Sequence, residues 1–185
     1  MPSNVELKAR LADRHRLIEL VRNIAHSHSV LRQQDTYFGA ARGRLKLRLQ
    51  EVLAENGESQ SETATLYFYE RPDSEGPKRS DYEFLRFSTV DEALALKSLL
   101  SRSMGVRGVV QKTRDLFLVG QTRVHVDTVD GLGDFVELEV GLEDGQTTQD
   151  GQDIAKGLCK TLGIDTDGLI SGSYIDMLPE RSVWQ

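Results

Sequence analysis

The chain has 185 residues, 38% hydrophobic and 28% charged, with a net charge of -6, a balance expected of one globular domain spanning 1–185 with a full core. There is no apolar run long enough to span a bilayer and no signal-peptide pattern, so no membrane partner is expected and a cytoplasmic location is. The acidic balance argues against nucleic-acid binding, and the single Cys159, without a disulfide partner, is expected to pack in the core in a reducing compartment.

From the N-terminus, Asn4 to Arg10 alternates as a strand with Glu6, Lys8 and Arg10 on one face. Leu17, Ile18, Leu20, Val21 and Ile24 then recur at helical spacing and predict a helix over 11–26. His26 and His28 flank its end; without a carboxylate or Cys close by in sequence they read as helix-terminus or loop residues rather than a metal pair. A second strand covers 33–38, and after a loop from Gly39 to Gly43 the third presents Arg44, Lys46 and Arg48 on one face.

The polar stretch from Glu51 to Glu62, with Asn56-Gly57, predicts a loose connection. Strands resume at 65–71, where either Glu70 or Arg71 shares the charged side, and at 78–87, with Arg79 and Asp81 on one face and a turn from Pro72 to Pro77 between them. Acids at Asp91 and Glu92 open an amphipathic helix over 91–100, where the macrodipole favours them. A long hairpin follows, 109–118 and 122–128, turned at Val119-Gly120-Gln121 and carrying Lys112 and Arg114. A second hairpin, Arg123 to Val140, sets Arg123, His125 and Asp127 on one strand beside Glu137 and Glu139 on the next, with the valines and Leu138 on the opposite face. A polar loop, 144–151, leads to a helix over 152–162 ended by Gly163, and the tail at 173–178 is apolar enough to dock on the body.

The sorting of charge carries the functional argument. The alternating rows hold Lys8, Arg10, Arg44, Lys46, Arg48, Lys112, Arg114 and Arg123 against Glu6, Asp127, Glu137 and Glu139, whereas the rest of the chain has 15 basic to 25 acidic residues. Roughly eight mostly antiparallel strands predict an α+β, mainly β fold, an eight-stranded antiparallel closed barrel or strongly curved sheet with flanking helices. If the charged rows face inward, surplus cations and a few carboxylates suit a highly anionic ligand carrying a divalent metal, such as a phosphate chain with Mg²⁺ or Mn²⁺. The bland alternative, a network of mutual salt bridges, leaves positive charge buried and unpaired, which is costly.

Val5-Glu6-Leu7-Lys8, Gln34-Asp35-Thr36-Tyr37-Phe38, Gly43-Arg44-Leu45-Lys46-Leu47-Arg48, Lys112-Thr113-Arg114 and Gly131-Leu132-Gly133-Asp134-Phe135-Val136-Glu137-Leu138-Glu139 together resemble the CYTH domain, the fold of class IV adenylyl cyclases and thiamine triphosphatases, also called triphosphate tunnel metalloenzymes. The resemblance covers nearly the whole chain and implies a tunnel in which basic side chains hold a triphosphate and acids hold Mg²⁺ or Mn²⁺. It places Glu6, Glu137, Glu139 and Asp127 at the metal and the eight cations on the triphosphate, with Glu6, Lys8, Glu137 and Glu139 at the catalytic centre. Its signature begins Glu-x-Glu-x-Lys, and here Asn4 replaces the first Glu; an Asn oxygen in that place implies one metal site kept and a second weakened.

The expected function is that of a metal-dependent triphosphatase, with class IV-type adenylyl cyclase and a non-catalytic triphosphate-binding module as alternatives. The expected ligands are tripolyphosphate, ATP or thiamine triphosphate, and the expected state is a monomer or homodimer.

Overall fold

The computed structural model describes residues 3–70 and 78–179. Eight strands and four helices follow one another: β1 (Ser3–Arg10), α1 (Arg14–Arg22), β2 (Ser27–Phe38), β3 (Arg44–Leu53), β4 (Ser59–Glu70), β5 (Lys78–Arg86), α2 (Val90–Met104), β6 (Val106–Val119), β7 (Thr122–Val129), β8 (Gly133–Gly141), α3 (Thr148–Leu162) and α4 (Tyr174–Met177). All pairings are antiparallel, in the order β1-β5-β4-β3-β2-β6-β7-β8, and β8 returns to β1. The last seam is short: β1 and β5 share four register pairs, from Ser3↔Asp81 to Glu6↔Lys78. Beyond them β1 is met by the C-terminal segment, where Ala9 bridges Leu169 and the Ile170 N–H donates to the Lys8 carbonyl at 2.8 Å. The sheet is thus curled into a barrel joined to β5 at one end of β1 only.

Period-two alternation decides which rows are inside. Leu7 and Ala9 of β1, Phe117 of β6, Val124 and Val126 of β7, and Val136 and Leu138 of β8 turn outward, where Leu17, Ile18 and Val21 of α1 and Cys159 and Leu162 of α3 cover them. On the opposite side Ala93 of α2 closes over Phe38, Leu47 and Ala64. Each fully buried Val, Leu or Phe among them contributes about 1.5–3 kcal/mol, so most of the apolar core lies between sheet and helices. The inward rows are mostly polar, apart from the α4 end, where Tyr37, Val110, Val129 and Phe135 pack with Tyr174 and Ile175. Cys159 is buried packing, and burial pushes its thiol up to about 11.

Several boundaries differ from those the sequence suggests. The first helix is shorter than 11–26: the Leu11 N–H donates to the Asp134 carbonyl, Asp13 caps the helix through the Arg16 N–H, and at the other end the His26 N–H already bonds Leu118. His28 belongs to β2, where it stacks on Phe117 and bonds Asp115 at 2.7 Å. The polar stretch 51–62 is mostly strand, because the hairpin ladder continues through Glu51↔Glu62 and Val52↔Ser61 to a turn at 54–58, where Gly57 has φ 82°. Glu70 points away from the lumen and pairs with Arg42 at 3.5 Å. Arg71, the turn at 72–77 and the side chains of Arg79 and Asp81 lie outside the described residues.

Candidate active site

Lys46 and Arg48 of β3, Asp35 of β2 and Lys112 and Arg114 of β6 form one wall of the lumen. Asp35 holds Arg48 through two bonds of 2.7 Å and Lys46 at 3.2 Å. Burial alone would raise the Asp35 carboxyl, yet Arg48 and Lys46 together hold it well below the carboxylate range. Lys46 is pushed down to about 8 by burial and by the Arg48 charge, with Asp35 opposing. Lys112 is likewise held well below an ordinary ammonium by burial and by Arg114. Burial is the larger cause at both lysines, while Asp35 and Asp127 hold Arg48 and Arg114 firmly charged; such a concentration of shifted groups in one cleft marks a candidate binding site.

The facing corner is built by β1, β7 and β8. Strand register sets Glu6 opposite Glu139 and Lys8 opposite Glu137, and pairs His125 with Glu137 and Arg123 with Glu139. Glu137 lies 3.5 Å from Lys8, 3.4 Å from Arg114 and 3.3 Å from His125, whose other ring nitrogen is 3.5 Å from Glu139. Glu139 also receives two bonds from Arg123 and one from the Asn4 amide nitrogen. Burial opposes ionisation of both glutamates, but Lys8 and His125 at Glu137, and His125 and Arg123 at Glu139, keep them anionic. Asn4 thus donates through its amide nitrogen to Glu139, which leaves its amide oxygen as the group that could face an ion.

Glu6, Glu137 and Glu139 bring hard oxygen donors to one corner, the right kind for Mg²⁺ or Mn²⁺. Among the described residues no three His, Cys, Asp or Glu side chains stand ready as a metal cluster; Glu137 and Glu139 are turned to their cations. The fit is one of donor type and location, reached by turning carboxylates from Lys8, Arg114 and Arg123 to the ion. Asp127, also placed in the metal set by the resemblance, is fully buried, held by Arg114 at 2.6 and 2.7 Å and by the Tyr174 hydroxyl at 2.9 Å.

The eight cations separate by position. Lys8, Lys46, Arg48, Lys112 and Arg114 line the middle. Arg10 is exposed at the α4 end, bonding the Leu132 carbonyl at 3.2 Å over the Phe135 ring. Arg44 meets Asp176 of α4 at 2.9 Å, and Arg123 stands half-exposed beside Glu139. Three residues at the site escaped the sequence reading of the site. Asp35 alternates with Gln33 and Tyr37 and was detectable by that pattern; His125 shares a row with Arg123 and Asp127. Tyr174, which puts its ring 4.1 Å from the Lys8 ammonium and 4.9 Å from Lys112, had no local signal.

The CYTH domain pattern matches residues 3–174. The adenylate cyclase CyaB of Aeromonas hydrophila is 29% identical over 101 residues, 54% of this chain and 51% of that protein, so the match spans about half the relative's length. Among solved structures, a protein from Pyrococcus horikoshii OT3 superposes with TM-score 0.73 at 18% identity over 95% of this chain and 99% of that one. A candidate adenylate cyclase from Vibrio parahaemolyticus gives 0.69 at 20% identity, over 94% and 96%. A candidate adenylyl cyclase from Hippeastrum, described as having a dominant triphosphatase activity, gives 0.61 at 16% identity, over 96% and 94%. At such identities the superpositions establish a common fold. With the family pattern covering nearly all of an eight-stranded barrel whose charged rows face inward, the chain belongs to the CYTH domain family of triphosphate tunnel proteins.

Proposed function

We propose that this protein is a divalent-metal-dependent enzyme that binds a triphosphate in the tunnel and hydrolyses it. The observation that carries the reading is the buried group of Lys8, Lys46, Arg48, Lys112 and Arg114, five cations that pair with three carboxylates, Asp35, Asp127 and Glu137. A phosphate chain supplies the missing negative charge and lets each guanidinium bind two oxygens. CYTH tunnel proteins generally depend on a divalent metal. Glu6, Glu137 and Glu139 would hold that metal, which neutralises charge on the transferring phosphoryl group when bound.

The chain's own residues do the positioning. Lys46, Arg48, Lys112 and Arg114 fix the phosphates in line, Lys8 sits between this wall and the acid corner, and the fixed positive field stabilises charge as it moves onto the leaving phosphate. Water attacks the terminal phosphorus and releases a proton to solvent, the bridging P–O bond breaks with its electron pair on the diphosphate leaving group, and the transferred phosphoryl becomes orthophosphate. Arg10 and Arg44 stand at the end covered by α4, and Arg123 stands half-exposed beside Glu139.

Cyclisation of ATP is the second reading, favoured by the Aeromonas relative's designation as an adenylate cyclase. It asks more of the site, because the ribose 3′-oxygen must lie in line with the α-phosphate while water is kept away. Incubation with tripolyphosphate, ATP or thiamine triphosphate plus Mg²⁺ or Mn²⁺, followed by chromatography, separates the cases. Orthophosphate as the main product is expected. Cyclic AMP with pyrophosphate would replace hydrolysis by cyclisation, and tight binding without any product would make the protein a binding module.

A further inference from the structure

The lumen has a second wall that the charge argument does not use. Tyr67 of β4 and Tyr82 and Phe84 of β5 lie in the inward rows, Tyr67 and Phe84 being register partners. Their rings adjoin, with Tyr67 6.3 Å and Tyr82 6.2 Å from Phe84 between centroids. The Lys46 ammonium is 5.4 Å and the Arg48 guanidinium 5.7 Å from the Tyr67 ring, so the aromatic wall begins where the cationic wall ends. On its far side the Arg86 guanidinium lies 5.4 Å from Phe84.

None of these rings belongs to the four apolar clusters of the core. Phe84 is 48% exposed, although the outer face of the neighbouring β4 is packed beneath α2 through Ala64 and Leu66. Tyr67 and Tyr82 are partly buried and Phe84 is the ring left open in this inward row, next to a guanidinium plane. Rings combined with Arg are the means by which proteins hold heteroaromatic bases by stacking. β5 lies two strands from β3, about 10 Å away, a reach suited to the organic end of a nucleoside or thiamine triphosphate whose phosphates sit on Lys46 and Arg48.

We infer that Phe84, with Tyr67, Tyr82 and Arg86, is a stacking subsite for a planar heteroaromatic ring, so that the preferred ligand is an organic triphosphate and not inorganic tripolyphosphate. This rests on the tunnel reading above and narrows it. The test is calorimetric binding of tripolyphosphate, ribose 5-triphosphate, and methylene-bridged analogues of ATP and thiamine triphosphate that cannot turn over. At least one ring-bearing ligand is expected to bind about tenfold tighter than ribose 5-triphosphate, and whichever analogue shows the gain identifies the ring. Phe84→Ala should abolish that advantage and leave tripolyphosphate binding unchanged, while Phe84→Leu, which keeps apolar bulk, should restore only a small part. A ring that adds nothing, or an advantage that survives Phe84→Ala in protein with an unaltered melting temperature, overturns the inference while tripolyphosphate binding keeps the tunnel reading intact. Failure of wild-type protein to bind tripolyphosphate at all would remove both.

Discussion

Lys46 shows how a single residue ties the site to pH. Burial and Arg48 lower its ammonium from 10.5 to about 8, so it is charged below that pH and neutral above. Affinity for tripolyphosphate is expected to fall as pH rises past about 8, with a limiting slope of about tenfold per pH unit for one required proton. Stability without ligand moves the other way. Between the folded and unfolded values the folded state binds fewer protons, so the Lys46 contribution rises with pH across that window. Titration by calorimetry at several pH values and chemical denaturation over the same range check the two signs. Lys46→Arg should reduce both trends, leaving the slope from Lys112, whose ammonium is also depressed.

The acid corner gives a second prediction at this scale. Glu139→Gln should lower metal-dependent turnover by orders of magnitude with little change in melting temperature, since its partner Arg123 is 43% exposed and can turn to water. Glu137→Gln should lose turnover and also stability, because Lys8 and Arg114 beside it are only 7% and 6% exposed and would be left as buried surplus charge. Glu143, exposed beyond the end of β8, is the control. Glu143→Gln as damaging as the strand changes would overturn the assignment of the corner.

Among the elements, α3 sets how closely the outer layer approaches the barrel. Its start is fixed by a reciprocal Thr147–Asp150 capping box, and its C-terminus by Gly163 in the left-handed region, φ 64°. Gly151 sits against β1 so tightly that an added Cβ would lie 2.6 Å from Val5 Cγ2 and 2.7 Å from Leu142 Cδ2. Gly151→Ala should therefore push α3 off β1 and destabilise by about 1–3 kcal/mol, despite the better helix propensity of Ala. Thr147→Ala should cost about 1 kcal/mol. Neither should alter tripolyphosphate affinity in the folded protein, as measured by calorimetry, because α3 covers the outward rows only. At the other end α4 is held by both charge and packing: Asp176 bonds Arg44 and Arg107, Tyr174 enters the lumen to reach Asp127, and Tyr174 and Ile175 pack with Tyr37, Val110 and Phe135.

For the whole molecule the governing fact is a negative net charge around a positive interior. The net charge of -6 repels anions at long range, whereas the lumen attracts them at short range. Tripolyphosphate with Mg²⁺, at a hundredfold excess over its Kd, should stabilise by about 2.7 kcal/mol, which is roughly 5–10 °C in a chain of this size. Thermal melts at low and high ionic strength check this. The rise should be larger at low salt, and no shift with any of tripolyphosphate, ATP or thiamine triphosphate would remove the tunnel reading. No helix among the described residues is long and apolar enough to cross a membrane.

Alternation is a local property, so the charged rows of β1, β3, β6, β7 and β8 were legible from residue spacing, and with them the cations and most of the acids of the site. Adding up eight strands with one apolar row each also anticipated helices packed outside the sheet. The length of the β3–β4 hairpin was not legible, because a ladder of backbone hydrogen bonds continues through residues with no apolar signal. Nor were the partnerships that define the site: Asp35 meets Arg48 thirteen residues away and Tyr174 meets Asp127 forty-seven away, distances that only strand register and the return of the C-terminal segment can span. The sequence by itself determined the two-faced strands and the charge they carry, since both follow from side-chain alternation. Only the tertiary structure decided that the charged face is enclosed, that Asn4 donates to Glu139 and that Phe84 stands open beside the cations, because each depends on which strands curl around to face one another.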